Sequence, residues 1–331
     1  MFKLLAVKLI YGLTVSVAAV LSAWSPTTAA IQPAAIQRSM VLIYIHSSAR
    51  VEDPTGIFPS REVSVLSSCS GLFVDTIGHV LTVRHCVDED SVKQDIVERF
   101  AADLGFDLLT QDDLDAVEAN LKITGLTESV KVVQPDDNGT DGLTITDQTP
   151  ADIVNAKPSN GTDAALLVVN GLKGATRAMP IASEPLRVDQ PIISVGFPAL
   201  LDGKIRPPFE YARGTVSALP GPDTNGMTTV SAPMWHGSSG GPCINEKGEV
   251  IGLSKQVAST GATSFYFITT QNDIREFLDE NHILSSAPAA PDPTIQVVAW
   301  VVIGYATLAL GTWILVLGFL ANRKKRRRVH S

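Results

Sequence analysis

Residues 237–242 read Gly-Ser-Ser-Gly-Gly-Pro, a run that could present a serine as a nucleophile. A serine hydroxyl reacts poorly unless a base takes its proton and N–H donors stabilise the oxyanion that forms. Glycines on both sides of Ser239 permit a tight, exposed bend and bring backbone N–H groups close to the reacting atom. A Gly/Ser cluster is also typical of a flexible loop, so the motif needs support from other parts of the chain.

A histidine and an aspartate in other parts of the chain provide this support. His85 follows an apolar run at 79–83, and Asp163 stands directly before an apolar run at 164–169 that is typical of a buried strand. Histidine, aspartate, serine is one of the chain orders in which such triads recur. We therefore predict that His85 is the base, that Asp163 orients its ring, and that Ser239 attacks a carbonyl carbon.

These three motifs, in this order, resemble the trypsin-like serine proteases of chymotrypsin fold, and the bacterial HtrA-type branch more than the digestive trypsins. The resemblance covers about residues 40–282, and the stretches 212–219 and 243–254 also fit it. It implies a serine endopeptidase that hydrolyses peptide bonds through an acyl-enzyme intermediate. It implies a mainly β fold with two six-stranded Greek-key barrels, and an oxyanion hole formed by the backbone N–H groups of Gly237 and Ser239.

The resemblance also places the base of the substrate pocket near residues 233–235, which read Pro-Met-Trp. No acid stands there to receive a lysine or arginine, so we do not expect cleavage after basic residues. His236 could instead bind an acidic side chain, or it could be an ordinary surface or core histidine. Arg84 stands where relatives usually have a small residue, and it could alter the pocket or point outward. We expect protein or peptide substrates and neither a cofactor nor a metal, and the oligomeric state is left open.

A disulfide between Cys69 and Cys86 is a further implication of the resemblance, and it would lock the loop that carries His85. The alternative is two free thiols in the core. Cys243 would remain unpaired as a small buried side chain. Three cysteines fit an oxidising compartment. The chain has no Cys-x-x-Cys pair, so a zinc site made of Cys69, His85 and Cys86 has no support.

Short apolar runs separated by glycine and proline predict the strands that position these residues. A hairpin around residues 76–78 would deliver His85 to its place. Runs between 192 and 270 would form the strands of the second barrel, and 271–281 would form a closing helix. Residues 135–162, which are rich in Asp, Asn, Gly, Thr and Pro, predict a loop that leads to Asp163.

Residues 91–122 depart from the usual plan of the family. Apolar side chains recur there at helical spacing, first from Val92 to Leu104 and again from Leu114 to Ile123. We predict a helical insertion of two helices between His85 and Asp163. It could be a lid, an element that docks a partner, or neutral decoration, because surface insertions are readily tolerated.

Both ends of the chain are apolar, and they set the expected domain organisation. Residues 1–30 predict a signal peptide, with an uncleaved anchor as the alternative. Residues 31–284 would form the protease domain, with no PDZ-like domain after it, and 285–294 a Pro/Ala-rich linker. The uncharged run 295–321 is long enough for a transmembrane helix, and 322–331 would form a basic cytoplasmic tail.

The charge is distributed unevenly along the chain. All 34 acidic residues lie between the two apolar ends, against 18 basic ones, so this middle part carries a net charge of −16. Such an acidic body argues against nucleic-acid binding. We expect a single-pass membrane protein whose catalytic domain faces the periplasm or the exterior. An inactive protease-like module for binding or scaffolding is the alternative, and the complete set of His85, Asp163 and Ser239 favours the enzyme.

Overall fold

The computed structural model describes residues 33–106, 117–134, 147–198, 209–221, 227–260 and 263–283. The chain divides into two units, 1–286 and 287–331, and all described residues belong to the first. The predicted signal peptide, linker, transmembrane helix and basic tail lie outside the described residues. Among the helices that the structure describes, none has both the length and the apolar character needed to cross a bilayer.

Six antiparallel strands close into the first barrel, in the order β1-β2-β3-β6-β5-β4. Because β4 lies beside β1, the first four strands have the spatial order of a Greek key. The strands are β1 (Met40–Glu52), β2 (Arg61–Phe73), β3 (His79–Thr82), β4 (Lys122–Val133), β5 (Thr149–Asn155) and β6 (Ala165–Val169). The predicted hairpin is present, with Leu72 opposite Leu81 and Phe73 opposite Val80.

The second barrel repeats this topology in the order β10-β11-β12-β9-β8-β7. Its strands are β7 (Pro191–Gly196), β8 (Glu210–Ala218), β9 (Thr228–Val230), β10 (Pro242–Ile244), β11 (Val250–Thr260) and β12 (Thr263–Ile268). The strand β10 follows the Gly/Ser motif directly and lies between β7 and β11. The prediction of a mainly β fold with two six-stranded barrels is therefore confirmed.

Few helices accompany the barrels. The described ones are α1 (Pro33–Gln37), α2 (Glu89–Asp103) and α3 (Gln271–Glu280), and a 3₁₀ turn spans Arg84–Cys86. The helix α2 confirms the first predicted helix of the insertion, and α3 confirms the closing helix. Asp88 caps α2 by accepting from the Ser91 N–H, and Thr270 and Asp273 form a capping box at the start of α3.

Two strands of the first barrel differ from the sequence prediction. Ile123, for which the sequence predicts the end of a second helix, lies in β4, and β5 lies inside the predicted loop 135–162. The apolar pattern of β4 is interrupted by Gly125 and polar residues, and β5 exposes Ile153 and Val154. The pattern of apolar residues along the sequence therefore does not predict these two strands. Pairing with β1 over most of its length orders β4, and pairing with β4 and β6 orders β5.

One continuous core joins the two barrels. Leu81 and Leu166 from the first barrel belong to the same buried cluster as Val195 and Leu253 from the second. The apolar face of α3 also enters this cluster, with Ile274, Phe277 and Leu278 fully buried. The helix α2 instead covers a smaller cluster, in which Ile96 and Phe100 pack on β1 and β2. The barrels are thus packed directly on each other.

Candidate active site

His85 lies in the 3₁₀ turn that follows β3, and it is held from both sides. A disulfide joins the next residue, Cys86, to Cys69 in β2, as the resemblance implied. The turn then runs into α2, because the Asp88 N–H donates to the Arg84 carbonyl before the helix begins. The histidine therefore sits between a covalent link to one strand and a packed helix.

The His85 ring is paired with the carboxylate of Asp163, which precedes β6. The His85 Nδ1 lies 2.8 Å from Asp163 Oδ2, and the His85 backbone N–H donates to Oδ1 at 3.1 Å. Two hydrogen bonds from one residue fix both the position of the ring and its orientation. Because Nδ1 is bonded to the carboxylate, Nε2 is the ring nitrogen left for proton transfer.

Burial and hydrogen bonding act in opposite directions on Asp163. Burial raises the pKa of its carboxyl, but the His85 hydrogen bonds and charge, with a contribution from Lys255, hold that pKa below its usual value. Asp163 is therefore an anion beside the imidazole ring. The His85 side chain is 36% exposed, against 8% for Asp163, so the ring can meet a substrate while the carboxylate cannot.

The loop that carries Ser239 is anchored by Ser70 of β2, across the junction between the barrels. The Ser70 N–H donates to the Ser239 carbonyl at 2.8 Å, and the Ser70 hydroxyl donates to the Gly237 carbonyl at 2.8 Å. The same hydroxyl accepts from the Phe197 N–H at 2.9 Å. Sequence analysis missed Ser70. Its only local signal is a small polar residue next to Cys69 in an apolar strand.

Glycine is required on the C-terminal side of Ser239. Gly240 has a φ of +82°, and a Cβ there would lie 2.1 Å from the Thr82 hydroxyl oxygen and 2.3 Å from the Ser70 carbonyl oxygen. At Gly241, a Cβ would lie 2.2 Å from the Val195 carbonyl oxygen. The backbone after Ser239 thus touches the end of the strand that leads to His85, which brings the histidine and serine segments to one place.

Two backbone N–H groups beside Ser239 are available to a ligand. Among the described residues, no acceptor is bonded to the N–H of Gly237 or of Ser239. The intervening Ser238 N–H donates to the Trp235 carbonyl at 3.0 Å, and Gly237 has a φ of +87° that suits glycine. N–H groups without an acceptor in the protein are one requirement of an oxyanion hole.

The structure shows one of the two side-chain contacts of the predicted triad. His85 and Asp163 are hydrogen-bonded, and Ser239 lies in the adjoining loop. Between Ser239 and His85, the described part of the chain shows no hydrogen bond. Such bonds are often long in free enzymes and shorten when substrate binds. The roles of the three residues, and of the Gly237 and Ser239 amides, therefore stay predictions.

The surroundings of the site resolve several alternatives from the sequence. The Arg84 guanidinium lies 3.8 Å from the Asp88 carboxylate at the start of α2, and its side chain is 43% exposed, which favours the outward orientation. Ser238 is buried, whereas Ser239 is partly exposed, so their exposure favours Ser239 as the nucleophile.

Cys243 is free and buried, and burial raises the pKa of its thiol to about 12. In the described ranges, no group of three or more His, Cys, Asp or Glu side chains is placed to hold a metal ion.

Two carboxyls on the His85 side of the site were not predicted. Burial and the charge of Glu98 raise the pKa of Asp95, on α2, to about 6, although the His85 charge and a Ser67 hydrogen bond oppose the shift. Burial and the charge of Asp88 raise the pKa of Glu128, on β4, to about 7. Sequence spacing could not reveal them, because both shifts arise from burial and from charges that come together only in the folded chain.

Comparisons with known proteins agree with this geometry. Residues 69–253 match the family model of the trypsin-like peptidase domain, and this range holds His85, Asp163 and Ser239. The chain is 31% identical over 126 residues to serine protease PepD of Mycobacterium tuberculosis. That alignment covers 35% of this chain and 25% of PepD, so it spans about a quarter of the relative's length. Both matches confirm the resemblance to trypsin-like serine proteases.

Proposed function

Because this chain belongs to the trypsin-like peptidase family, we propose that it is a serine endopeptidase that uses His85, Asp163 and Ser239. The observation that carries this proposal is the hydrogen-bonded His85–Asp163 pair at the junction where the glycine-framed Ser239 loop is anchored. A buried, ionised carboxylate beside an exposed imidazole is what a general base needs to activate a serine.

In the proposed reaction, the Ser239 hydroxyl oxygen attacks the carbonyl carbon of a peptide bond while His85 Nε2 accepts its proton. Asp163 stabilises the imidazolium that forms. The oxyanion accepts hydrogen bonds from the N–H groups of Gly237 and Ser239, and each such donor contributes about 3–4 kcal/mol in serine proteases. His85 then donates the proton to the leaving amine, and water hydrolyses the acyl-enzyme by the same route.

The cellular setting of this activity is also part of the proposal. The uncharged run 295–321 anchors the protein in a membrane, and the basic run 323–328 keeps that end in the cytoplasm. The catalytic domain then lies outside the cytoplasm, and its substrates are exported or membrane-associated proteins. The Cys69–Cys86 disulfide supports this orientation, since disulfides persist in oxidising compartments.

A fluorophosphonate probe tests the nucleophile, because it reacts covalently only with an activated serine. We expect the full-length protein to be labelled, Ser239→Ala to be unlabelled, and Ser238→Ala to be labelled like the wild type. Ser238→Ala is a matched control, since it removes a hydroxyl from the neighbouring residue and adds no volume. If the folded wild type is not labelled, the protein is instead a protease-like binding module, which the missing Ser239–His85 hydrogen bond would then explain.

A further inference from the structure

A β-bulge lies in β11 close to Ser239. Ser254 pairs with Ile268 and Gln256 pairs with Phe267, so Lys255 is an extra residue without a partner position on β12. Bulges of this kind redirect a side chain, and they are found preferentially beside active sites. The register shift therefore gives Lys255 a direction that an uninterrupted ladder would not.

The bulge is attached to the backbone that follows the nucleophile. The Gly240 N–H donates to the Ser254 carbonyl at 2.8 Å, and the Ser254 N–H donates to the Gly241 carbonyl at 2.8 Å. Ser254 is buried, and Lys255 is the first partly exposed residue after it. Lys255 thus stands one residue beyond a position that is bonded to both glycines of the Ser239 loop.

The charge of Lys255 has a small effect on the Asp163 carboxyl, whose pKa it helps to lower. Its ammonium group is one of the charges that act on the Asp163 carboxylate. In the described part of the chain it forms no salt bridge, whereas Lys247 is paired with Glu184 at 2.8 Å and Lys93 with Glu89 at 2.7 Å. A cation without a salt bridge to the described residues contrasts with a middle part of the chain whose net charge is −16.

We propose that Lys255 binds a carboxylate of the substrate and so selects peptides with a negative charge close to the scissile bond. This inference rests on the proposed function. Carboxylates are the anionic groups of an unmodified peptide, and an ammonium group offers them three donors at one point. The carboxylate comes from an acidic side chain or from the C-terminus of the peptide. The overall acidic field would disfavour such substrates, so a preference for them must come from a local cation.

If Lys255 has only a structural role, a different experimental result is expected. If Lys255 only stabilised the Asp163 anion, its loss would slow the cleavage of every peptide by the same factor. If Lys255 binds a substrate carboxylate, its loss slows only the cleavage of peptides that carry one. The ratio of kcat/KM between paired peptides therefore separates the two roles.

The experiment uses the full-length protein in detergent and quenched fluorescent peptides in pairs. Each pair has Glu or Gln at one position near the cleaved bond, and a further pair has a free or an amidated C-terminus. We expect wild type to prefer one Glu peptide, or the free C-terminus, by about tenfold, as a charged hydrogen bond permits. Lys255→Met removes the preference, and Lys255→Glu shifts it to the matching Lys peptide. Lys247→Met, which removes an exposed and paired lysine, leaves it unchanged.

Equal kcat/KM values of wild type for every pair overturn the proposal, and this result does not depend on whether any variant folds. An equal loss on all peptides in Lys255→Met overturns it as well and leaves the structural role. Fluorophosphonate labelling separates this failure from that of the proposed function. A wild type that is labelled but shows no preference refutes only the role of Lys255, whereas an unlabelled wild type refutes both.

Discussion

At the scale of single residues, Ser70 links the nucleophile loop to the barrel that supplies the base. Its side chain is fully buried, and its hydroxyl both donates to Gly237 and accepts from Phe197. Both partners are backbone groups that would lose their hydrogen bond if the hydroxyl were removed. A buried backbone group without a partner costs more than the hydrogen bond itself contributes.

Ser70→Ala is therefore expected to destabilise the protein by about 1–3 kcal/mol and to slow fluorophosphonate labelling of Ser239. Urea unfolding gives the first quantity and the labelling rate gives the second. Ser64→Ala is the control, because Ser64 lies on the same strand with an exposed side chain. Unchanged stability and labelling in Ser70→Ala would show that water or a shifted backbone replaces the two bonds.

Asp95 gives a second residue prediction, which concerns pH. Its pKa of about 6 in the folded protein lies above the usual value, so the folded state retains a proton between about pH 4 and pH 6 that the unfolded chain releases. Ionisation of Asp95 therefore lowers the free energy of unfolding as the pH rises through this window. An Asn side chain at this position cannot ionise, so the free energy of unfolding does not decrease in this way.

We expect Asp95→Asn to be more stable than wild type at pH 7.5 by about 1–2 kcal/mol, which is less than the full shift implies because the group is partly exposed. The gain should vanish near pH 4. Urea unfolding at several pH values measures it, with the exposed Asp147→Asn as control. A gain that is constant with pH would show that packing, and not ionisation, causes it.

At the scale of elements, α3 holds the loop that leads to Asp163. Glu280 accepts from the Ser159 N–H at 3.1 Å and from the Ser159 hydroxyl at 2.9 Å. Asn160 donates to Glu276 at 3.2 Å, and its side-chain oxygen accepts from the Thr162 N–H at 3.0 Å. The closing helix of the second barrel therefore positions a loop of the first, directly before the carboxylate.

Glu280→Ala should loosen this loop without unfolding the protein, because the lost bonds are exposed and each contributes less than about 1 kcal/mol. We expect faster amide hydrogen exchange at residues 159–163 and labelling of Ser239 slowed by a few fold. Asp279→Ala, an exposed change on the same helical turn, is the control. Equal exchange rates in the two variants would mean that the loop keeps its position without the Glu280 contacts.

For the whole molecule, the predicted orientation in the membrane decides in which compartment the proposed catalytic domain acts. The apolar run 295–321 and the basic run 323–328 predict a cytoplasmic C-terminus and a catalytic domain on the other side of the membrane. The Cys69–Cys86 disulfide predicts that the catalytic domain faces an oxidising compartment. These two inferences are independent, since one comes from charge near the apolar run and the other from the oxidation state of a distant pair.

Reporter fusions test this orientation directly. A reporter fused at Ser331 should indicate the cytoplasm, and one fused at Ala290 should indicate the exterior. Replacement of the basic residues 323–328 by glutamine weakens the signal that sets orientation, so we expect mixed reporter activity in that variant. The reverse pattern in the unmodified protein would place the disulfide in a reducing compartment and contradict both inferences.

The amino-acid sequence was sufficient to identify the candidate catalytic residues, their order along the chain and the family. His85, Asp163 and Ser239 stand in short motifs whose meaning is local: an apolar strand before a histidine, an aspartate before a strand, and glycines around a serine. The strands that form a hairpin or alternate in burial were predictable for the same reason. The disulfide followed from the resemblance and is present in the structure.

Contacts between residues far apart in the chain could be seen only in the folded protein. The His85–Asp163 hydrogen bond spans 78 residues, and the Ser70–Gly237 bond spans 167. Such contacts depend on strand register and on the packing of two barrels, which no local pattern encodes. Strands β4 and β5 were not predictable for the same reason, because they form by pairing with neighbouring strands. The position of Lys255 in a bulge likewise depends on how β11 pairs with β12.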